Sequence, residues 1–319
     1  MKRRAHSQTG AALLVAMLIL TLVSTLAAGM IWQQWRAVQV ESAERTRAQA
    51  AWILTGALDL GRVVLRLDAR KPGVDDLTEP WATCLEEASL SSLLAQDRNN
   101  NADTEGAPEA FLKGCVRDAQ SRYNLRNLVD ANNKLVEAEL ATLKRLCESA
   151  AVAPETAQTL ASGLQSAWQL DSGGAGDAQA NASLVPHTFE QLAWLGVDAK
   201  TLGLLRDYVD LLPEATPLNI NTAKAEVLAA VIVGLDASSA KRLESRRPFK
   251  TIEEARTHIP GSEPIDPKRL GVASRYFEIS GRLRMEGRVL EERLLVVRRN
   301  REIIPLSRSR QSVMPTSPS

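Results

Sequence analysis

The residues able to do chemistry are few and scattered. His187 and His258 have no serine or cysteine partner in any recognised spacing, and neither a G-x-G-x-x-G turn nor a phosphate loop occurs. Catalysis needs a nucleophile or base, an orienting group and a charge stabiliser in one constellation, and no such set can be assembled. An enzyme is therefore not expected. Cys84, Cys115 and Cys147 show no C-x-x-C spacing, which leaves a zinc site without its usual ligand pattern. In an oxidising compartment Cys84 and Cys115 could pair and leave Cys147 odd; three buried thiols are the equal alternative.

Composition narrows the classes further. The chain has 319 residues, 45% of them apolar but only 4% aromatic, and Ala and Leu dominate the apolar set. Such a mixture favours helices. Lysine and arginine total 39 against 38 acids, a net charge of +1. Without Lys2, Arg3 and Arg4 the balance becomes 36 against 38, or −2. Neither value is the electrostatic footprint of a nucleic-acid binder.

The elements that position everything else begin at the N-terminus. After MKRRAHSQTG, residues 11–35 carry no charged side chain, and Arg36 follows at once. Twenty-five helical residues reach about 37 Å, enough to cross the hydrocarbon core of a bilayer. Trp32 and Trp35 sit where an interfacial belt belongs, and Lys2, Arg3 and Arg4 hold the N-terminus in the cytoplasm. A cleaved secretory signal would have a shorter apolar run closed by small residues, and this run continues past TLAAGM. Apolar residues then recur at three- and four-residue spacing through Ile53, Leu54, Leu58, Gly61, Val64 and Leu65, with no proline before Pro72. One helix over about 11–67 is expected, greasy all round in its first half and amphipathic in its second.

Beyond Lys71-Pro72-Gly73, residues 91–109 read as a polar loop and FLKGCVRD (111–118) as a strand. A helical tract follows over 121–270, broken at Pro154, at the Gly-rich segment 170–183, and at Pro213 and Pro217. Within it, TPLNINTAKAEVLAAVIVGLDASSAKRLESRRPF resembles a helix-hairpin-helix. Thr222 is the expected cap of its first helix, with Glu226 completing a capping box, and Asp236 the cap of its second. Such a unit binds DNA backbone through hairpin amides and nearby cations, here Arg242, Arg246 and Arg247. Asp236 stands where a second hairpin glycine is expected and would repel phosphate, so a structural module is preferred. TFEQLAWLGVDAKTLGLLRDYV (188–209) is a weaker echo of TIEEARTHIP. Finally SRYFEISGRLRM and VLEERLLVV alternate about Glu286-Gly287, a β-hairpin, and the Ser/Pro-rich end reads as disordered.

A basic leader, a glycine, an uninterrupted apolar span and a long continuing helix resemble the type IV prepilin class. The resemblance implies cleavage between Gly10 and Ala11 by a membrane prepilin peptidase, with methylation of the new N-terminus. Most prepilins carry glutamate at mature position five; here it is Val15. That absence, with RDAQSRYNLRNLV (117–129), PLNINTAKAEVL (217–228) and SRYFEISGRLRMEGRVLEERLLVVRR (274–299), resembles the minor pseudopilin K family of type II secretion. A carboxylate in the bilayer is costly unless paired, so a subunit lacking it needs no neighbour above. The resemblance thus implies a tip subunit that initiates or caps the pseudopilus for export across the outer membrane. It would assemble with minor pseudopilins I and J, the other pseudopilins and an inner-membrane platform. It further implies a single-pass inner-membrane protein with a cytoplasmic N-terminus and a periplasmic bulk. Relatives bind calcium, and Asp171 and Asp177 flank the Gly-rich loop. No run of carboxylates there, nor at Asn99–Asn101 with Asp103 and Glu105, supplies the six to eight oxygens calcium prefers, so solvated loops are the simpler reading.

The expected architecture is α+β: a pseudopilin fold whose long N-terminal helix packs on a small antiparallel sheet, with a large all-α, helix-hairpin-helix or SAM-like insertion. Its parts are a leader (1–10), the long helix (11–70), the first part of the sheet domain (71–120), the helical insertion (121–270), the closing hairpin (271–300) and a disordered tail (301–319). The alternative function is a membrane-anchored periplasmic DNA-binding protein serving DNA uptake.

Overall fold

The computed structural model describes residues 9–71, 73–95, 109–171, 184–259, 261, 266 and 268–313. Helix α1 runs unbroken over Thr9–Asp68. The chain divides into two units at Thr55/Gly56. The first is the N-terminal part of α1, whose side chains from Ala11 to Val40 are all exposed. Thr21 and Thr25 turn their hydroxyls back to the carbonyls of Leu18 and Leu22, which satisfies those donors inside the helix.

The second unit holds the rest of α1, β1 (Leu85–Ser89), α2 (Leu90–Ala95), β2 (Ala110–Asp118), β3 (Tyr123–Asn124), α3 (Glu137–Ser149), α4 (Glu155–Asp171) and α5 (Ala199–Leu205). Next come β4 (Val209–Asp210), β5 (Leu218–Asn219), α6 (Ala225–Val231), α7 (Ala237–Ser245), α8 (Ile252–Arg256), β6 (Leu270–Gly271), β7 (Tyr276–Met285), β8 (Arg288–Arg299) and β9 (Glu302–Val313). Strands β1-β2-β7-β8-β9 form one sheet in that order, antiparallel throughout. Neighbours β2 and β7 are separated in sequence by the whole helical insertion.

Alternation along these strands puts Val116, Phe277, Ile279, Leu294 and Val296 on one face, where they form a core with Leu58, Leu65 and Trp81. Gly61 lies in this seam because nothing larger fits: a Cβ there would stand 2.6 Å from Ile279 Cγ2. At Gly56, one helical stretch earlier, a Cβ would meet nothing within 4 Å. Gly61→Val should therefore cost about 1–3 kcal/mol through overpacking. Gly56→Ala should be neutral or stabilising by up to about 1 kcal/mol from helix propensity. Urea midpoints of the two variants check this, and equal effects would refute it.

The insertion has its own core, in which Leu143, Leu146, Leu160, Leu164, Leu192, Leu205, Ile220, Leu228 and Phe249 are fully enclosed. It is not purely helical. Two-residue parallel ladders join β3 to β4 and β5 to β6 and tie its first and last segments each to its middle.

Three further expectations are corrected. Residues 302–313, read as part of a disordered tail, form β9 against β8, because Arg308 and Arg310 reach Glu292, which is only 1% exposed. Thr222 does not cap α6; Lys224 occupies that position, and the Thr222 hydroxyl goes to Asp118 instead. The stretch 85–89, assigned no strand, is the edge strand β1. The Cys84–Cys115 disulfide fastens the residue preceding β1 to β2, while Cys147 is a free, buried thiol.

Candidate functional site

Two features stand out: an uncharged helix start and a buried polar junction. Gly10 and Ala11 lie in the first turns of α1, and Val15 follows with its side chain 55% exposed. Among the described residues α1 is the one helix long and apolar enough to cross a membrane. Where that apolar surface ends, the Arg36 guanidinium lies over the Trp32 ring at 5.8 Å, a cation–aromatic pair suited to an interface. Residues 1–8, most of the expected leader 1–10, lie outside the described residues.

The junction lies where the insertion leaves and re-enters the sheet domain. Asp118 ends β2 and is 2% exposed. Its Oδ2 accepts from Asn219 Nδ2 (2.9 Å), Thr222 Oγ1 (2.6 Å) and Ser274 Oγ (2.6 Å), and its Oδ1 from the amide of Gln120 (2.8 Å). Burial pushes this carboxyl up to about 6, against the pull of those donors. Asn219 also donates to the carbonyl of Asp75 at 3.0 Å. Asp75, itself buried, accepts from the amide of Ser274 and from Arg298. The Arg298 guanidinium further donates to Asp68 Oδ2 at 2.9 Å and to the carbonyl of Ser274 at 2.7 Å, and it lies over Phe277. Burial raises the Asp75 carboxyl, and Arg298 opposes that rise.

The three sequence stretches that carried the resemblance meet here. From 117–129 come Asp118, Gln120, Asn124 and Asn127; from 217–228 come Asn219, Asn221 and Thr222; from 274–299 come Ser274, Tyr276 and Arg298. Gln120 donates to the carbonyl of Pro217 and accepts from the amide of Arg275. Asn124 and Asn127 hold Glu214 and Thr216, and Asn221 pairs with both backbone groups of Phe249. Each of these amides bridges segments about 28 to 156 positions apart, as expected where buried backbone groups lack a ladder partner. The spacing of these residues carries no period, so their convergence was not visible in the sequence. The only signal was polar Asn219 and Asn221 alternating with buried Leu218 and Ile220.

Asp68, Asp75 and Glu79 bring carboxylate oxygens within 4.8 Å of one another, but Arg298 already supplies the compensating positive charge. Glu79 is pushed up to about 7 by burial, while it accepts from the Trp81 indole and the Asp76 amide. Asp171 is the last residue of α4, whereas Asp177 and the loop from Asn99 to Glu105 lie outside the described residues.

The helix-hairpin-helix is α6, a turn with Gly234 in the left-handed region (φ 79°), and α7. Its helix start and its cations have partners inside the protein. Asp236 caps α7 by accepting from the amides of Ser238 and Ser239, so a carboxylate already holds the helix start. Arg247 is buried against the carbonyl of Ala223, Arg242 is bound to Ser238 and Ser239, and Arg246 meets His258. Asp236→Ala should cost about 1 kcal/mol in a urea melt. An unchanged midpoint would show that the cap is dispensable. His187 is exposed on the loop before the turn Phe189–Leu195.

Residues 121–214 and 218–273 match two family models, each described as type II secretion system protein K. Over these two stretches the chain is similar to the type II secretion system protein K family. Asn124, Asn127, Asn219, Asn221 and Thr222 of the junction lie within the matched regions, and Asp118 and Ser274 just outside them. The Pseudomonas aeruginosa type II secretion system protein K is 27% identical over 86% of this chain and 84% of its own length. The Pectobacterium carotovorum protein of the same name is 26% identical over 91% and 92%. A chain in the crystal structure of the GspK-GspI-GspJ complex from enterotoxigenic Escherichia coli shares the fold, with a TM-score of 0.61. It is 19% identical over 84% of this chain and 98% of its own.

Proposed function

We propose that this chain is a minor pseudopilin placed at the tip of the type II secretion pseudopilus, where it initiates or caps assembly for export across the outer membrane. The observation that carries this reading is the uncharged helix start, with Val15 where a shaft subunit presents a carboxylate. A charge buried in the bilayer is stabilised by a partner's amine, and a subunit without that charge asks for no subunit above it. The reading includes a single inner-membrane span with the N-terminus inside, maturation between Gly10 and Ala11, and a periplasmic bulk. The relative solved with GspI and GspJ supports minor pseudopilins I and J as its partners. Its role is structural, and no catalytic step is assigned to it.

Intact mass of the membrane-extracted protein tests the reading. Loss of residues 1–10 with one methyl group on Ala11 is expected; retention of Lys2 would overturn it. Gly10→Trp should block cleavage and abolish secretion, while Val15→Glu should reduce it less.

A further inference from the structure

A cavity of about 360 Å³ opens beside the Cys84–Cys115 disulfide, lined among others by Trp81, Arg117, Asp118, Asp207 and Lys224. Both cysteines are half-buried and line it. Cys147 is the contrast: it is enclosed in the helical core, where burial pushes its thiol up to about 11. The two halves of the disulfide are held very differently. Cys115 lies mid-strand in β2, paired to Ser280 of β7, whose hydroxyl donates to the Cys115 carbonyl. Cys84 lies on the connection just before β1. That edge strand pairs with β2 alone, its register shifts between Leu85 and Ala88, and its first three residues are exposed. Its ion pairs, Glu86 with Lys113 and Glu87 with Arg284, are at the surface and worth little.

We propose that Cys84–Cys115 is a thiol-exchange site of the folded protein, attacked at the Cys84 sulfur by a dithiol reductant, and that its opening releases β1. A thiolate of the dithiol forms a new S–S bond to Cys84 as the Cys84–Cys115 bond breaks, and the electron pair leaves on Cys115 as thiolate. The second thiol of the reductant then attacks the mixed disulfide and frees Cys84, so the protein gains two electrons and the dithiol becomes a disulfide. Cys115 is the better leaving group because exposed Arg117, two residues along the same strand face and lining the same cavity, puts a cation on its side of the bond. The other charges around the cavity do not reverse this. Lys224 is paired with Asp207, Arg122 with Asp210, and Asp118 is engaged by its four donors.

The test uses the full chain in detergent. After dithiothreitol without denaturant, a maleimide should add to two cysteines, and to Cys147 only after unfolding. With glutathione as the probe, peptide mapping should place the adduct on Cys84. Reduction should raise amide exchange across Leu85–Ser89 about tenfold while β7 and β8 keep their protection. Arg117→Gln should slow the reduction several-fold. Thiols that appear only in denaturant, an adduct on Cys115, unchanged exchange in β1, or an unchanged rate in the Arg117 variant would each overturn the proposal.

Discussion

Replacing Arg298 by methionine should destabilise the folded protein by about 3–5 kcal/mol, the range for removing one member of a buried ion pair. Among the described residues the guanidinium is the one cation bonded to Asp75, and it also holds Asp68 and the carbonyl of Ser274. Without it, Asp75 keeps the Ser274 amide as a donor but loses its counter-charge while 2% exposed. Methionine preserves much of the stem that packs over Phe277, so the loss reports charge and hydrogen bonds rather than volume. A double-mutant cycle with Asp75→Asn separates the terms: the pair should lose less than the sum of the singles, since the second change removes the stranded charge. Urea unfolding of the detergent-solubilised chain measures all four corners. A loss below about 1 kcal/mol for Arg298→Met would rank the junction with ordinary surface pairs.

The second large effect is a dependence on pH centred on Asp118. Its carboxyl is raised from 3.8 to about 6 in the fold, first of all by burial. Between those values the folded state holds a proton that the unfolded chain has already released. Stability must therefore fall as pH rises through about 4 to 6, by up to about 3 kcal/mol from this group. Glu79, raised from 4.5 to about 7 by burial, extends the fall with the same sign toward neutrality. When Asp118 is protonated its hydrogen finds an acceptor without rearrangement, since the hydroxyls of Thr222 and Ser274 can turn. Asp118→Asn should flatten the profile between pH 4 and 6. It should also lower stability at pH 7 by about 1–3 kcal/mol, because an amide has one acceptor oxygen for donors on both sides. A variant whose urea midpoint tracked the parent at every pH would refute this.

The local patterns in the chain were legible where one physical rule dominates. The long helix follows from apolar spacing without proline up to residue 71, and the β7–β8 hairpin from strict alternation about Glu286-Gly287. Asp236 caps α7 because its neighbours in sequence are its partners in space. Strand β9 was not legible. Its SRSRQS segment looks like a solvated tail until Glu292, on a strand 16 positions earlier, gives Arg308 a buried partner. Thr222 shows the same limit: a good cap residue placed just before a helix serves Asp118, 104 positions away, because burial makes that hydrogen bond worth more.

By itself, then, the sequence determined the membrane-length helix, its uncharged start with Val15, and the α+β order of elements. These are composition and periodicity, which need no knowledge of what lies nearby. Only the tertiary structure decided which polar residues are buried together: Asp75, Asp118, Asn219, Ser274 and Arg298 come from four segments and share no spacing. Their hydrogen bonds exist because the insertion returns to the strand it left, and a buried polar group must find whatever partner that return brings.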